Sequence, residues 1–175
     1  IDEATRNRVK DIFAAHNVTV TFSDAASSTE SNVYLGVNGA NGQGNALATQ
    51  LGLSTDVLTK EGKFDRHILS LTDGGNGTAQ LLVLGENTDA TFFGLASLEQ
   101  MLDNGTEGLA TVTINDYADL KERGVIEGFY GKPYAGEVRQ DLLRFMMRYK
   151  MNCYVYGPKS DYYHSGKWSE PYPTK

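Results

Sequence analysis

Cysteine is almost absent: Cys153 is the single one in 175 residues. That excludes an intrachain disulfide and a cysteine-cluster zinc site. Within "MNCYVY" the thiol reads as a small core residue rather than a nucleophile. Histidine is scarce as well, and His16, His67 and His164 lack metal-ligand spacing, so no metal or other cofactor is expected. Basic residues are outnumbered, 16 Lys and Arg against 22 Asp and Glu for a net charge of -6, and they form no block. Nucleic acid and an anionic membrane are therefore poor partners. No apolar run approaches the length of a membrane span. The first residues, "IDEATRNRVK", are neither an initiator methionine nor a signal peptide and read as a processed or trimmed start.

What is present is the composition of a globular protein, 40% hydrophobic and 22% charged. The length suits one domain of ordinary size, or a small domain plus part of another. Val9, Ile12 and Phe13 share a helical face over 2–15, with Asp2 and Glu3 at the positive end. "NVTVTFS" from Asn17 alternates like a strand, and "NVYLGV" from Asn32 is a second one. A short helix over 45–51 closes at Gly52. "RHILSL" and "AQLLVLG" are strands joined by "TDGGNGT" as a hairpin. Phe92, Leu95, Leu98, Met101 and Leu102 line a helix over 90–102, ended by "DNG", and "ATVTIND" from Ala110 is another strand. The expected class is α/β, with a small N-terminal α+β domain, a sheet with packed helices, over 1–120.

After the polar link "YADLKERG" the texture changes. Residues 124–175 hold the only tryptophan, all four prolines and most of the tyrosines. Val125 and Ile126 form a short apolar strand that stops at Glu127, Gly128, Phe129, Tyr130 and Gly131. Val138, Leu142, Phe145, Met146 and Tyr149 then recur on one helical face, and "MNCYVYGPK" is a second buried strand. A strand, helix and strand of this size make a parallel crossover unit. In a closed barrel of such units the active site lies at the C-terminal ends of the strands. "EGFYG" and "GPKSDYYH" would then face one mouth.

Other motifs read blandly. "GVNGANGQGNALATQLG" lacks the lysine and hydroxyl of a P-loop, and the dinucleotide pattern would need a glycine at Leu47. It is read as a flexible loop entering a helix. Asp2-Glu3, the only adjacent acidic pair, suits a helix start better than glycosidase chemistry, and Asp161 reads as a turn residue. No Ser-His-Asp set with an elbow motif is present. Three Asn-x-Thr sequons, at Asn17, Asn76 and Asn104, matter only in a host that glycosylates, and two are Asn-Gly pairs that read as turns.

"RGVIEGFYGKPY", the helix after it, "KMNCYVYGPKSDYYH" and "KWSEPYP" closely resemble the start of the catalytic barrel of glycoside hydrolase family 84. These are β-N-acetylglucosaminidases that include O-GlcNAcases and bacterial hyaluronidase-like toxins. The resemblance is strongest over 123–173; residues 1–120 are similar to the small domain preceding the barrel in bacterial members. It implies removal of terminal β-linked N-acetylglucosamine with retention of configuration, from a glycan or glycoprotein. The sugar's own acetamide oxygen is the nucleophile, which avoids the entropic cost of bringing one in. An aspartate pair orients the acetamide and protonates the leaving oxygen.

The resemblance assigns Gly128 and Lys159 to substrate binding, through a backbone carbonyl and an ammonium that each meet a sugar hydroxyl. Glu127, Tyr130, Asp161, Tyr163 and His164 shape the mouth, and Trp168 with "EPYP" is assigned to packing. Gly157, Ser160 and Tyr162 depart from the family's usual Ala, Asp and Pro, and Gly136 stands in for the usual Ser or Thr helix cap. A whole barrel takes roughly 250 residues, and the resemblance puts the aspartate pair beyond Lys175. The chain is thus expected to be an inactive fragment, with 121–175 the first β-α-β unit of an incomplete (β/α)8 barrel. The parent would be extracellular or at a bacterial cell surface. Exposed barrel strands would favour self-association or a poorly ordered tail. Two other readings stay open: a non-catalytic carbohydrate-binding or interaction module, and a structural domain completed by a partner chain.

Overall fold

The structure is a computed structural model that describes residues 1–105 and 111–174. It divides into two compact units, Ile1–Lys121 and Glu122–Lys175.

The first unit is organised by a strand with no polar face. Residues "LLVL" of β3 (Thr78–Gly85) send Leu81 and Val83 to one side and Leu82 and Leu84 to the other. A strand buried on both faces carries a continuous apolar run instead of an alternating one. β3 lies inside a four-stranded sheet of order β1-β3-β2-β4. β1 (Asn32–Val37) pairs with it in parallel. β2 (Phe64–Gly75) pairs antiparallel to both β3 and β4 (Val112–Ala118). One face is covered by α1 (Glu3–Ala14) and α3 (Thr88–Asp103), where Val9, Ile12, Leu95, Leu98 and Leu102 close over Leu69, Leu81 and Val83. Leu47 and Ala48 of α2 (Gln43–Gln50) and Leu58 of a 3-10 turn (Asp56–Thr59) cover Ile68, Leu82 and Leu84 on the other. Each of these leucine, isoleucine and valine side chains contributes about 1.5–3 kcal/mol by leaving water.

The local signals hold at the helix ends. Asp2 accepts from the Thr5 amide at 2.8 Å and Asn87 from the Ala90 amide at 2.8 Å, each satisfying an orphan donor. Gly52, at φ 65°, follows α2 as a left-handed stop. Most of "TDGGNGT" continues the strands, and only Asn76 and Gly77 form the tip between Gly75 and Thr78. The strand expected from Ala110 is seen as β4, Ala110 itself lying outside the described residues.

"NVTVTFS" is not a strand. Asn17 adopts φ 61° and the Val18 amide bonds back to the Phe13 carbonyl at 3.0 Å, which turns the chain sharply off α1. The segment lies back on that helix: Val20 packs on the core, and Arg6 and Lys10 stand 5.0 and 5.5 Å from the Phe22 ring. Its alternation is satisfied by a helix surface instead of a sheet ladder.

In the second unit β5 (Gly124–Glu127) and β6 (Cys153–Tyr156) pair in parallel, joined by α4 (Gly136–Arg148) and followed by α5 (Tyr162–Ser165). Arg123 and Asn152 clasp the strand starts, with amide bonds of 2.9 and 2.8 Å between them. Of the apolar face expected on α4 only Met146 is buried, while Val138, Phe145 and Tyr149 are exposed. On the strands Ile126 and Val155, opposite each other in register, are exposed too. Cys153 is half-buried and unbonded to sulfur, not a sealed core residue. Ala135, not Gly136, stands at the helix cap, and it offers no side-chain bond.

Gly94 marks where α3 comes down on the sheet. A Cβ there would sit 2.6 Å from Val83 Cγ1 and 3.3 Å from His67 Cδ2. In an exposed helix an alanine would stabilise, but both neighbours here are buried and stiff. Gly94→Ala is expected to destabilise the first unit by about 1–3 kcal/mol, read as a fall in Tm on thermal unfolding; an unchanged or raised Tm would refute this packing.

Candidate active-site mouth

The parallel register sets Glu127 opposite Tyr156, so both strands stop at the same level. Their tails stay bonded beyond that level. The Gly157 amide donates to the Glu127 carbonyl at 2.9 Å and the Lys159 amide to the Phe129 carbonyl at 3.1 Å. Ser160 Oγ accepts from the Gly131 amide at 3.0 Å. These bonds bring Gly128 and Lys159, thirty-one positions apart, onto neighbouring chains. The Gly128 carbonyl, between two engaged ones, accepts no hydrogen bond among the described residues. Lys159 is exposed, and its ammonium forms no ion pair among them. An unbonded backbone acceptor and an exposed lysine thus lie on neighbouring tails beyond the strand ends.

Two carboxylates hold the tails from beneath. Glu127 is 1% exposed, its side chain turned inward as its neighbours turn out. It accepts from the Tyr134 amide at 2.8 Å, from Arg139 Nε at 3.0 Å and Nη2 at 3.1 Å, and from the Tyr154 hydroxyl. Arg139 Nε also donates to the Tyr154 oxygen at 3.1 Å. The Arg139 bonds, helped by Tyr154 and Tyr134 and opposed by burial, bring the Glu127 carboxyl down to about 2. The same partner raises the Arg139 guanidinium above its already high value.

Asp161 does the equivalent work for the second tail. It caps α5 by accepting from the Tyr163 and His164 amides at 2.9 and 3.0 Å. The hydroxyls of Tyr156 and, at 3.1 Å, Tyr172 donate to its other oxygen. Those bonds, Tyr156 first, lower its carboxyl, while burial and the anion raise the Tyr156 phenol. Asp161 is therefore a structural keystone as well as a turn residue. Tyr130 and Trp168 are 86% and 80% exposed, so Trp168 is not packed as the sequence reading expected.

The departures from the family pattern fit without strain. A Cβ on Gly157 would meet only His164 at 3.5 Å, an ordinary contact, so glycine and alanine are interchangeable there. Ser160 supplies through its hydroxyl an acceptor that Asp would also supply. Tyr162 is the first helical residue after the Asp161 cap, a position that proline also suits. Sequence reasoning missed Arg139 and Gly124. Only i to i+12 spacing links Glu127 to Arg139, and nothing local announces the pair. A Cβ on Gly124 would run into the Cys153 carbonyl, so glycine is required for the strands to close.

Known proteins carry the same segment. Residues 123–175 match the family described as beta-N-acetylglucosaminidase. Over 52 residues the chain is 47% identical to Protein O-GlcNAcase of Rattus norvegicus, and equally so to that of Mus musculus; the match takes in 30% of this chain and 6% of each relative. A solved structure of CpGH84D superimposes with a TM-score of 0.86 at 36% identity, over 99% of this chain and 28% of that one. CpGH84B does so with a TM-score of 0.68 at 28% identity, over 99% and 27%. The strand pair and its tails thus lie in the segment that resembles the N-acetylglucosaminidase family. The chain is similar to these proteins and spans far less than two thirds of the length of any of them.

Because the Glu127 pKa is depressed from 4.5 to about 2, its contribution is full above pH 4.5 and is lost as pH falls toward 2. Glu127→Gln is expected to cost the second unit about 2–4 kcal/mol near neutral pH and to flatten its acid dependence. Hydrogen exchange of β5 and β6 between pH 5 and pH 2.5 checks this; equal acid sensitivity in wild type and variant would sink it.

Proposed function

We propose that the protein to which this chain belongs is a retaining β-N-acetylglucosaminidase, and that these residues build one wall of its sugar site. The observation that carries the reading is that the family match over 123–175 falls on the two bonded tails, where the Gly128 carbonyl and the Lys159 ammonium stand open. Gly128 accepts from one sugar hydroxyl and Lys159 donates to another. Within this chain a Cβ on Gly128 would touch only the Ile126 methyl, at 3.0 Å, so its own packing hardly demands a glycine; a sugar ring against the backbone does. The β5-α4-β6 unit is then the opening of a (β/α)8 barrel whose mouth lies at these strand ends.

In this mechanism the substrate's acetamide oxygen attacks the anomeric carbon while the glycosidic oxygen takes a proton and leaves, and water later opens the cyclic intermediate with net retention. The acids that orient the acetamide and move the proton belong to an aspartate pair outside this chain, so the 175 residues alone are inactive. The substrate is a glycan or glycoprotein ending in β-linked N-acetylglucosamine, met outside the cell or at its surface.

The test is turnover of an aryl β-N-acetylglucosaminide by the full reading frame containing this chain. The β-anomer should appear first by NMR, and Lys159→Ala or Gly128→Val should lower kcat/KM about 10- to 100-fold without loss of Tm. Inversion, absence of turnover, or a Lys159→Ala variant with unchanged kcat/KM would overturn the reading. The separate 175-residue chain is expected to self-associate through the exposed strand face; in sedimentation, Ile126→Lys with Val155→Lys should restore a monomer, and a wild-type chain already monomeric at high concentration would count against it.

A further inference from the structure

We propose that Asn41 is a site of spontaneous deamidation, selected by the fold from four Asn-Gly pairs. Those pairs are Asn38-Gly39, Asn41-Gly42, Asn76-Gly77 and Asn104-Gly105. The reaction needs the backbone nitrogen of the glycine to reach the asparagine side-chain carbon, so it is blocked wherever that nitrogen or the carboxamide is held. A glycine helps because it puts no side chain in the way of the closing ring.

Two of the pairs are held by hydrogen bonds on the reacting groups themselves, and a third by the strained geometry of its turn. The Gly39 amide donates to Asn45 Oδ1 at 3.2 Å, while the same Asn45 donates through Nδ2 to the Val37 carbonyl at 2.8 Å. Asn38 is further fixed by its own amide, which donates to the Gly85 carbonyl at 2.8 Å. At the tip of the β2-β3 hairpin, Asn76 and Gly77 both sit in the left-handed region, at φ 53° and 78°. That turn is braced by the Gly75 amide on Asp73 at 2.8 Å and the Thr78 hydroxyl on the Gly75 carbonyl at 2.8 Å. Rotating Asn76 toward its neighbour's nitrogen would break the Gly75–Thr78 register. After α3, Asn104 Nδ2 donates to the Gln100 carbonyl at 2.7 Å and the Gly105 amide to Leu102 at 3.0 Å. There both the leaving amide and the attacking nitrogen are engaged.

Asn41 and Gly42 are different. Both are exposed, and among the described residues neither the Asn41 carboxamide nor the Gly42 N–H makes a hydrogen bond. Gly42 is extended, at φ -176°, and only its carbonyl is used, accepting the first helical bond of α2 from the Ala46 amide at 3.1 Å. The loop is tied on either side, by Ala40 to the Val37 carbonyl and by Gln43 to the Asp24 carbonyl, which leaves the pair between them free to rotate.

The chemistry balances with water alone. Hydroxide takes the Gly42 amide proton and becomes water, the nitrogen bonds to Asn41 Cγ, and the Cγ–Nδ2 bond breaks as Nδ2 takes a proton back from that water and leaves as ammonia. Water then opens the five-membered imide at one of its two carbonyls, giving aspartate or isoaspartate, and nothing is oxidised or reduced. Either product puts a new carboxylate just before α2, a helix that begins with no side-chain cap, where the dipole favours an anion.

The test is to hold the native 175-residue chain in warm, mildly alkaline buffer and map all four pairs by peptide mass spectrometry, with isoaspartyl methyltransferase labelling. Asn41 should convert at least tenfold faster than the other three. In concentrated urea the four rates should come together, since the hydrogen bonds that distinguish them are gone. Asn41→Gln should abolish the leading signal, and Asn45→Ala should raise the Asn38 rate by releasing the Gly39 amide. The proposal fails if Asn41 has no lead in the native chain, if its lead persists in urea, or if Asn38 stays slow in Asn45→Ala.

Discussion

A carboxylate sealed from water must find every partner inside the protein, and Glu127 sets that constraint for the second unit. Its two oxygens collect donors from the chain after β5, from α4 and from β6. The alternative, a buried charge left half-bonded, costs far more than any single surface pair returns. The position of Gly128 follows directly, because it is the next residue and the carbonyl of Glu127 is itself tied to the Gly157 amide. Asp161 repeats the arrangement for the second tail, with phenols in place of the guanidinium. The exposed tails are thus held in place by anions buried beneath them, which is how a rigid frame positions a loop.

The first unit answers a different demand. A central strand with two apolar faces cannot be stable until helices cover both, and α1, α2 and α3 do so. Where helix and strand approach most closely, glycine takes over. Gly44 of α2 lies against Gly36 of β1, where an added Cβ would come within 3.3 Å of the opposite Cα. Part of the glycine-rich stretch is thus explained by backbone packing, and Asn45 pins its start at Val37 and Gly39.

Much of the architecture was legible because the signals were local and redundant. Asp2 and Asn87 announce helix starts, Gly52 announces a stop, and "AQLLVLG" has nowhere to go but the inside of a sheet. "NVTVTFS" was misread for the converse reason: alternation records that one side is buried, not what buries it, and here a helix does. The apolar side of α4 was legible as a face, but the unit leaves it uncovered, since Val138 and Phe145 meet solvent there.

The sequence by itself determined the element types, the chemistry of the rare words "EGFYGKPY" and "GPKSDYYH", and the family to which they point. These depend on residues within a turn or two of each other. Only the tertiary structure decided that Glu127 pairs with Arg139, that Gly124 must be glycine, that Trp168 is exposed, and that the Gly128 carbonyl and Lys159 ammonium stand open on neighbouring tails. The reason is physical. Hydrogen bonds and close contacts between distant segments exist only after the chain has packed, and no spacing along the sequence encodes which donor will find which acceptor.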